Sequence, residues 1–172
     1  MRHIFALLLI IICLTSCNTG KPKQNNEKPV IAVTIEPQRY FTEAIAGDKF
    51  DVISIVPKGS SPETYDPTPQ QLVSLGDSKA YFRIGYIGFE QVWMDRLTDN
   101  TPHIQVFDTS KDVDLIFEEE EIHGDHRHAG GVEPHIWNST GNALIIARNT
   151  YKALCQLDKE NEAYYKSEAK RS

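Results

Sequence analysis

The sequence contains two polar loops whose residue types and setting suit ligand binding. Residues 56–69, VPKGSSPETYDPTP, follow a predicted strand, and residues 133–138, EPHIWN, come after the last predicted strand. Ligand sites in open α/β sheets lie at the carboxyl ends of the strands. In the second loop the restriction imposed by Pro134 presents His135 from a stiff turn. Both loops are therefore candidate parts of a binding site.

A third polar segment, residues 118–128 (EEEEIHGDHRH), is acidic and contains His123, His126 and His128. Short histidine-rich tracts can bind metal weakly, and the HxxHxH spacing allows two imidazoles to reach one ion. The alternative is a solvated acidic loop in which the histidines have no role. The residues alone leave both interpretations open.

The first loop lacks the sequence patterns of a hydrolase. Ser60 and Ser61 precede Glu63, but the chain has no GxSxG nucleophile elbow and no HExxH motif. His103 lies at the start of a predicted strand and is interpreted as structural. Cys155 is interpreted as a small apolar residue of the last long helix. We predict that the chain is not an enzyme.

Alternating strands and helices are predicted to position these loops. Apolar, β-branched runs predict strands at 29–35, 50–56, 80–84 and 103–107. Apolar stripes and capping residues predict helices at 37–46, 69–75, 89–97 and 139–157. Nearly continuous apolar strands are typical of a parallel sheet that is buried on both faces. We therefore expect an α/β fold in which a four-stranded, mostly parallel sheet is flanked by helices.

The N-terminal residues predict export and lipidation. An apolar run at 4–14 is too short to span a bilayer, which needs about 20 residues, but it fits the h-region of a secretory signal. The tetrapeptide LTSC, which ends at Cys17, resembles the bacterial lipobox, in which the cysteine is acylated. We predict a signal peptide at 1–16, lipidation of Cys17 and a flexible tether at 17–28. The protein would then be anchored in the cell envelope on its extracytoplasmic side.

The composition limits the classes of partner. The 172 residues are 40% hydrophobic and 24% charged, as in ordinary soluble globular chains. Eighteen basic and 24 acidic residues give a formal net charge of −6, so no basic field is available to hold a phosphate backbone. We expect no nucleic-acid partner. Three cysteines without a CxxC pair provide no even disulfide framework.

The two loops and the opening IAVTIEPQRYFTEAIAGDKFDV resemble the metal-binding substrate-binding proteins of bacterial ABC importers for zinc and manganese. That family typically carries a signal or lipobox, a loop of the form VPxGxxPHxYEPTP and a later DPHxW, each loop providing one histidine ligand. The resemblance runs from about Ile31 to the end of the chain. His135 matches the second ligand, with Glu133 in place of the usual Asp, and Glu63 occupies the place of the first histidine.

This resemblance implies that Glu63 and His135 are metal ligands and that His123, His126 and His128 belong to an accessory metal-binding loop. A carboxylate in place of an imidazole shifts the preference toward manganese or iron, although Zn²⁺ remains the ion we favour. The implied function is the capture of a divalent transition metal outside the membrane for delivery to an ABC permease. A surface lipoprotein acting in adhesion and a metal-dependent hydrolase are the alternatives.

The family has two lobes joined by a long helix, and its remaining ligands come from the second lobe. We therefore predict a Rossmann-like, N-terminal metal-binding lobe at 29–157 and the start of the interlobe helix at 158–172, with the second lobe absent. With only two ligands of the cleft present, metal binding should be weak and unselective. Replacing either Glu63 or His135 should then change the affinity only modestly, with the three histidines of 118–128 supplying a comparable share.

Overall fold

A four-stranded parallel sheet forms the centre of the protein. The computed structural model describes residues 28–117, 121–123, 126–128 and 131–171. The predicted signal peptide, Cys17 and the tether up to residue 27 lie outside these ranges. Within the described ranges, no helix combines the length and the apolar character needed to cross a membrane.

The strands of the sheet overlap the four predicted strand segments. They are β1 (Val30–Val33), β2 (Asp51–Ser54), β3 (Ala80–Arg83) and β4 (Gln105–Asp108), arranged as β2-β1-β3-β4. Every neighbouring pair is parallel, and Val33 lies opposite both Ser54 and Phe82. The prediction of a mostly parallel sheet is confirmed. All four carboxyl ends therefore meet at one edge, where the first polar loop begins.

In the part of the chain that the structure describes, five α-helices accompany the sheet: α1 (Glu36–Ala46), α2 (Pro69–Gly76), α3 (Gly88–Asn100), α4 (Thr140–Leu157) and α5 (Glu162–Glu168). Short 3₁₀ turns occur at Ile136–Asn138 and Lys159–Asn161. α1 ends at Gly47, whose φ of +58° is a conformation that glycine adopts without steric cost. α2 begins where Thr68 accepts a hydrogen bond from the Gln71 N–H, as its N-cap position predicts.

Alternate residues of the strands contribute to two apolar clusters, one on each face of the sheet. Ala32 and Tyr81 lie in a cluster that includes residues of α2 and α3, among them Leu75, Phe89 and Leu97. Ile31, Val33 and Phe82 lie in a second cluster with α1, α4 and α5, including Ile45, Leu154 and Tyr165. Helices thus cover both faces, which explains why the strand sequences show little polar alternation.

The segment 118–128 differs from the prediction. The backbone forms an antiparallel hairpin of β5 (Glu121–His123) and β6 (His126–His128), where we predicted no strand. Its residues show no apolar alternation of the kind that marks a half-buried strand. Backbone pairing between residues 121–123 and 126–128 forms the hairpin. We call it the histidine hairpin.

Candidate functional site

The loop that carries Glu63 is seated on the N-terminus of α3. The N–H of Gly88 donates to Glu63 Oε2 at 3.0 Å, and the N–H of Phe89 donates to the carbonyl oxygen of Pro62 at 2.9 Å. The first N–H groups of a helix have no partner within the helix, and the positive end of the helix dipole favours a carboxylate. Glu63 is therefore held at a defined place although it is exposed.

A close backbone approach at Gly88 makes this seating specific. A Cβ atom at Gly88 would lie 3.0 Å from the carbonyl carbon of Glu63 and nearer still to its carbonyl oxygen. Such distances are shorter than those found around real Cβ atoms, so any side chain here requires the loop to move. The glycine at the start of α3 is thus part of the surface that receives the Glu63 loop.

His135 is oriented by the neighbouring Glu133. One oxygen of the Glu133 carboxylate accepts the N–H of His135 at 3.0 Å and also contacts His135 Nδ1. We assign the proton of the ring to Nδ1, since a carboxylate accepts it there, which leaves the Nε2 lone pair for a ligand. The Trp137 ring packs edge-to-face against the imidazole with 5.2 Å between centroids. About half of the His135 side chain is exposed, so an ion can reach it.

The two polar loops meet at the carboxyl ends of β1 and β2. A cavity of about 190 Å³ is lined by Ile35 after β1, by Val56 and Pro62 after β2, and by Trp137. Pro62 and Trp137 are close neighbours of the predicted ligands in the sequence. The structure therefore brings together the loops that carry Glu63 and His135.

Neither predicted ligand lines the cavity at which the two loops meet. His135 lines a second cavity of about 340 Å³ with Glu133 and Asp114. Of the described residues that line these two cavities, none is Glu63. Across the described ranges, no cluster of three or more histidine, cysteine, aspartate or glutamate side chains is placed to hold a metal ion.

The histidine hairpin places its histidines at related positions of the backbone. His123 lies opposite His126, and Glu121 lies opposite His128. Residues directly opposite each other share a face of an antiparallel pair, as do residues two apart along a strand. These four positions therefore belong to one face of the hairpin, and Ile122 and Arg127 belong to the other.

A buried carboxylate beneath the first loop was not predicted. Glu90 is the third residue of α3 and is 2% exposed. It accepts the N–H groups of Ile84 at 2.8 Å and Gly85 at 2.7 Å, and the hydroxyl of Thr34. Burial raises the pKa of Glu90, and these hydrogen bonds and the nearby Arg83 oppose that rise. The one signal in the sequence is an acidic residue in the first turn of a helix.

A buried glutamine joins the same strand ends from the opposite side. Gln38 of α1 is 2% exposed, and its Oε1 accepts the N–H of Thr34 at 3.0 Å. Its Nε2 donates to the carbonyl oxygen of Phe82 at 3.1 Å and to Thr109 Oγ1 at 3.0 Å. A glutamine within an amphipathic helix is normally a surface residue, so the sequence carries no signal for this role.

Other residues that could have carried chemistry have structural contacts. His103 Nε2 lies 2.8 Å from the carbonyl oxygen of Gly76, the last residue of α2, which supports a structural role. Cys155 is half-buried and packs against the second apolar cluster. Phe89 is buried and Trp93 packs against the first cluster, so both are residues of the core.

The sequence is similar to metal-uptake proteins. A family model described as zinc-uptake complex component A, periplasmic, matches residues 31–172. The chain is 31% identical to the manganese ABC transporter substrate-binding lipoprotein PsaA of Streptococcus mitis, across 97% of this chain and 54% of that protein. It is 30% identical to the iron ABC transporter substrate-binding lipoprotein MtsA of Streptococcus pyogenes serotype M1, across 99% and 55%.

Solved structures show the same arrangement of strands and helices. The crystal structure of ZnuA matches with a TM-score of 0.73 and 33% identity, over 84% of this chain and 53% of that one. A Mn-bound periplasmic metal binding protein from Candidatus Liberibacter asiaticus matches with a TM-score of 0.71 at 24% identity, which shows the common fold alone. The chain spans about half the length of these relatives.

Proposed function

Because the chain belongs to the family of the periplasmic component A of zinc-uptake complexes, we propose that it captures a divalent transition metal outside the membrane and delivers it to an ABC permease. The observation that carries this proposal is the meeting of the two polar loops at the carboxyl edge of the sheet. The proposal includes no catalytic step. Residues 29–157 would be the metal-binding lobe, and residues 158–172 would begin the helix that leads to a second lobe.

We propose Glu63 and His135 as the metal ligands that this lobe supplies. His135 presents Nε2, because Glu133 holds Nδ1. Glu63 presents Oε1, because the N–H of Gly88 holds Oε2. Both contacts fix a ligand through one of its atoms and leave the other available, which is how surrounding groups commonly orient metal ligands. Metal binding in this lobe would then require the two loops to bring both atoms to one ion.

Zinc is the ion we favour, with manganese and iron as the alternatives. Imidazole nitrogen suits zinc, whereas the carboxylate at position 63 suits harder cations such as Mn²⁺. Relatives of similar identity carry names for manganese and for iron transport, and the family model is named for zinc. The histidine hairpin would add an accessory binding face through His123, His126 and His128.

A zinc titration by calorimetry would test this function. Since the histidine hairpin is expected to supply a comparable share of the weak affinity, the decisive comparison uses a background in which His123, His126 and His128 are all alanine. In that background, His135→Ala should weaken zinc binding by about tenfold or more, because the best nitrogen ligand is lost. His103→Ala is the matched control, because His103 is exposed and contacts Gly76 instead of the loops.

The proposal would be wrong if His135→Ala and His103→Ala gave the same zinc affinity in that background. The same titration with Mn²⁺ decides between the ions. An assay for hydrolysis in the presence of zinc separates a binding protein from a metal-dependent hydrolase, and we expect no turnover. Neither adhesion nor hydrolysis is favoured by a particular feature of the described residues.

We also propose that Cys17 carries a lipid that anchors the protein in the cell envelope. Cys17 follows a signal-length apolar run and two small residues, and the relatives PsaA and MtsA are named lipoproteins. Replacing Cys17 with alanine should move the protein from the membrane fraction to the soluble fraction after cell lysis. Cys13→Ala is the control, since Cys13 lies inside the apolar run. Membrane attachment that survives the Cys17 change would contradict the assignment.

A further inference from the structure

The carboxylate of Glu90 connects three elements at the edge where the proposed metal site lies. Glu90 belongs to the first turn of α3, Thr34 follows β1, and Ile84 and Gly85 follow β3. The carboxylate accepts hydrogen bonds from all three of these partners, and its side chain is 1% exposed. Tyr81 of β3 adds a longer contact of 3.4 Å from its hydroxyl. One buried group therefore fixes the start of α3 relative to two strands.

The turn between β3 and α3 needs such a restraint. Gly85 has a φ of +81° and Tyr86 a φ of +25°. Positive φ is unfavourable for a residue with a large side chain and persists where surrounding contacts determine the conformation. Glu90 supplies two of those contacts through the N–H groups of Ile84 and Gly85. The direction in which the first N–H groups of α3 point depends on this turn.

Those N–H groups are the ones that hold the first polar loop. Gly88 donates to the Glu63 carboxylate and Phe89 donates to the Pro62 carbonyl, within two residues of Glu90 on the same helical turn. We propose that Glu90 is a positioning residue of the metal site, which fixes the start of α3 so that Glu63 is held in place to bind the ion. The part of this inference that concerns the ion rests on the proposed function.

Glutamine cannot replace Glu90 in this arrangement. Oε1 accepts the N–H of Ile84, and Oε2 accepts the N–H of Gly85. The amide nitrogen of a glutamine is a donor, so in either orientation it would face one of these two N–H groups. Glu90→Gln therefore keeps the volume and shape of the side chain but loses one of the two backbone contacts.

Amide hydrogen exchange on the metal-free protein tests the positioning role without any metal. In Glu90→Gln, exchange at Gly88 and Phe89 should become about tenfold or more faster relative to Ala32 of the central strand, because local opening frees the start of α3. Thr109→Val is the matched control. It removes a buried hydroxyl at the same edge, which bonds Gln38 Nε2 and the carbonyl oxygen of Arg83, and among the described residues these partners do not include Glu90. We expect the ratio of Gly88 to Ala32 exchange to stay unchanged in that variant.

Thr34→Val provides a second variant in case Glu90→Gln does not fold. It removes one partner of Glu90 and leaves both backbone contacts of the carboxylate, so the exchange ratio should rise in the same direction by a smaller factor. An unchanged ratio of Gly88 to Ala32 exchange in the folded Glu90 variant, or in Thr34→Val if that variant alone folds, would overturn the positioning role.

Zinc affinity then tests whether the role acts through Glu63. In the background without the hairpin histidines, Glu90→Gln should weaken zinc binding by roughly threefold to tenfold, and it should have no further effect once Glu63 is alanine. If Glu90→Gln weakened zinc binding equally with Glu63 present and with Glu63 replaced by alanine, the effect would be a general structural one. That result would overturn the inference. If the proposed function were wrong, the result would differ, because neither Glu63→Ala nor His135→Ala would change the zinc affinity. The exchange ratio at Gly88 would still decide the role of Glu90.

Discussion

Replacing Gly88 with alanine should displace the Glu63 loop from α3. The new Cβ atom would overlap the carbonyl oxygen of Glu63, which belongs to the backbone and cannot rotate away as a side chain would. The loop must either accept the crowding or lose the hydrogen bonds from Gly88 and Phe89. We expect a loss of about 1–3 kcal/mol in the free energy of unfolding, as for other overpacked sites.

Two measurements check this prediction. Urea unfolding gives the change in free energy, and zinc titration in the background without hairpin histidines should show a loss comparable to that of Glu63→Ala. Gly141→Ala is the matched control, because Gly141 also lies in the first turn of a helix and its Cβ would have only an ordinary contact of 3.7 Å with Ser139. That change should be neutral or slightly stabilising, since alanine favours the helix. Equal effects at Gly88 and Gly141 would refute the seating of the loop.

Replacing Gln38 with leucine should lower the free energy of unfolding by about 3 kcal/mol. Each buried partner that loses its hydrogen bond is still desolvated, and no interaction then offsets the free-energy cost of that desolvation. The N–H of Thr34, the carbonyl of Phe82 and the hydroxyl of Thr109 would all lose the amide of Gln38. Leucine has a similar volume, so little of the loss would come from a cavity.

The control for Gln38 is Gln70→Leu. Gln70 is exposed on α2, and a surface substitution of this kind changes stability by less than about 0.5 kcal/mol. Urea unfolding of both variants measures the difference directly. If Gln38→Leu unfolded at the same urea concentration as Gln70→Leu, the hydrogen bonds of Gln38 would contribute nothing to the stability of the strand ends.

The elements of the fold could be predicted because their signals are local. Thr68 and Pro69 mark the start of α2, and Gly47 marks the end of α1, by the conformations that single residues prefer. β1 to β4 are apolar throughout because both faces of the sheet are covered. The histidine hairpin was not predicted because its strands carry no apolar alternation, although a Gly-Asp pair, a common hairpin signal, separates them in the sequence.

The contacts of the candidate site also separate into local ones, which the sequence shows, and long-range ones, which it does not. The contact of His135 with Glu133 spans two residues and is visible in the sequence EPH, whereas the contact of Glu63 with Gly88 spans 25 residues. The Thr34 contact of Glu90 spans 56 residues. Long-range partners of this kind depend on how the strands are ordered in the sheet, which periodicity does not reveal. The two polar loops and the contact of His135 with Glu133 could therefore be located from the sequence, but the distant groups that hold Glu63 in place could not.

The position of β1 has a consequence for the time order in which the chain folds. β1 is the first strand in the sequence, yet it lies inside the sheet, between β2 and β3. Ile31 pairs with Val52 of β2 on one side and with Ala80 of β3 on the other. One of the two strands that neighbour β1 is therefore synthesised much later than β1. Pairings between distant segments form slowly because the intervening loop must close first. β1 therefore stays incomplete until the residues of β3 are available. Pulse-labelled exchange should show β1 and β3 becoming protected together.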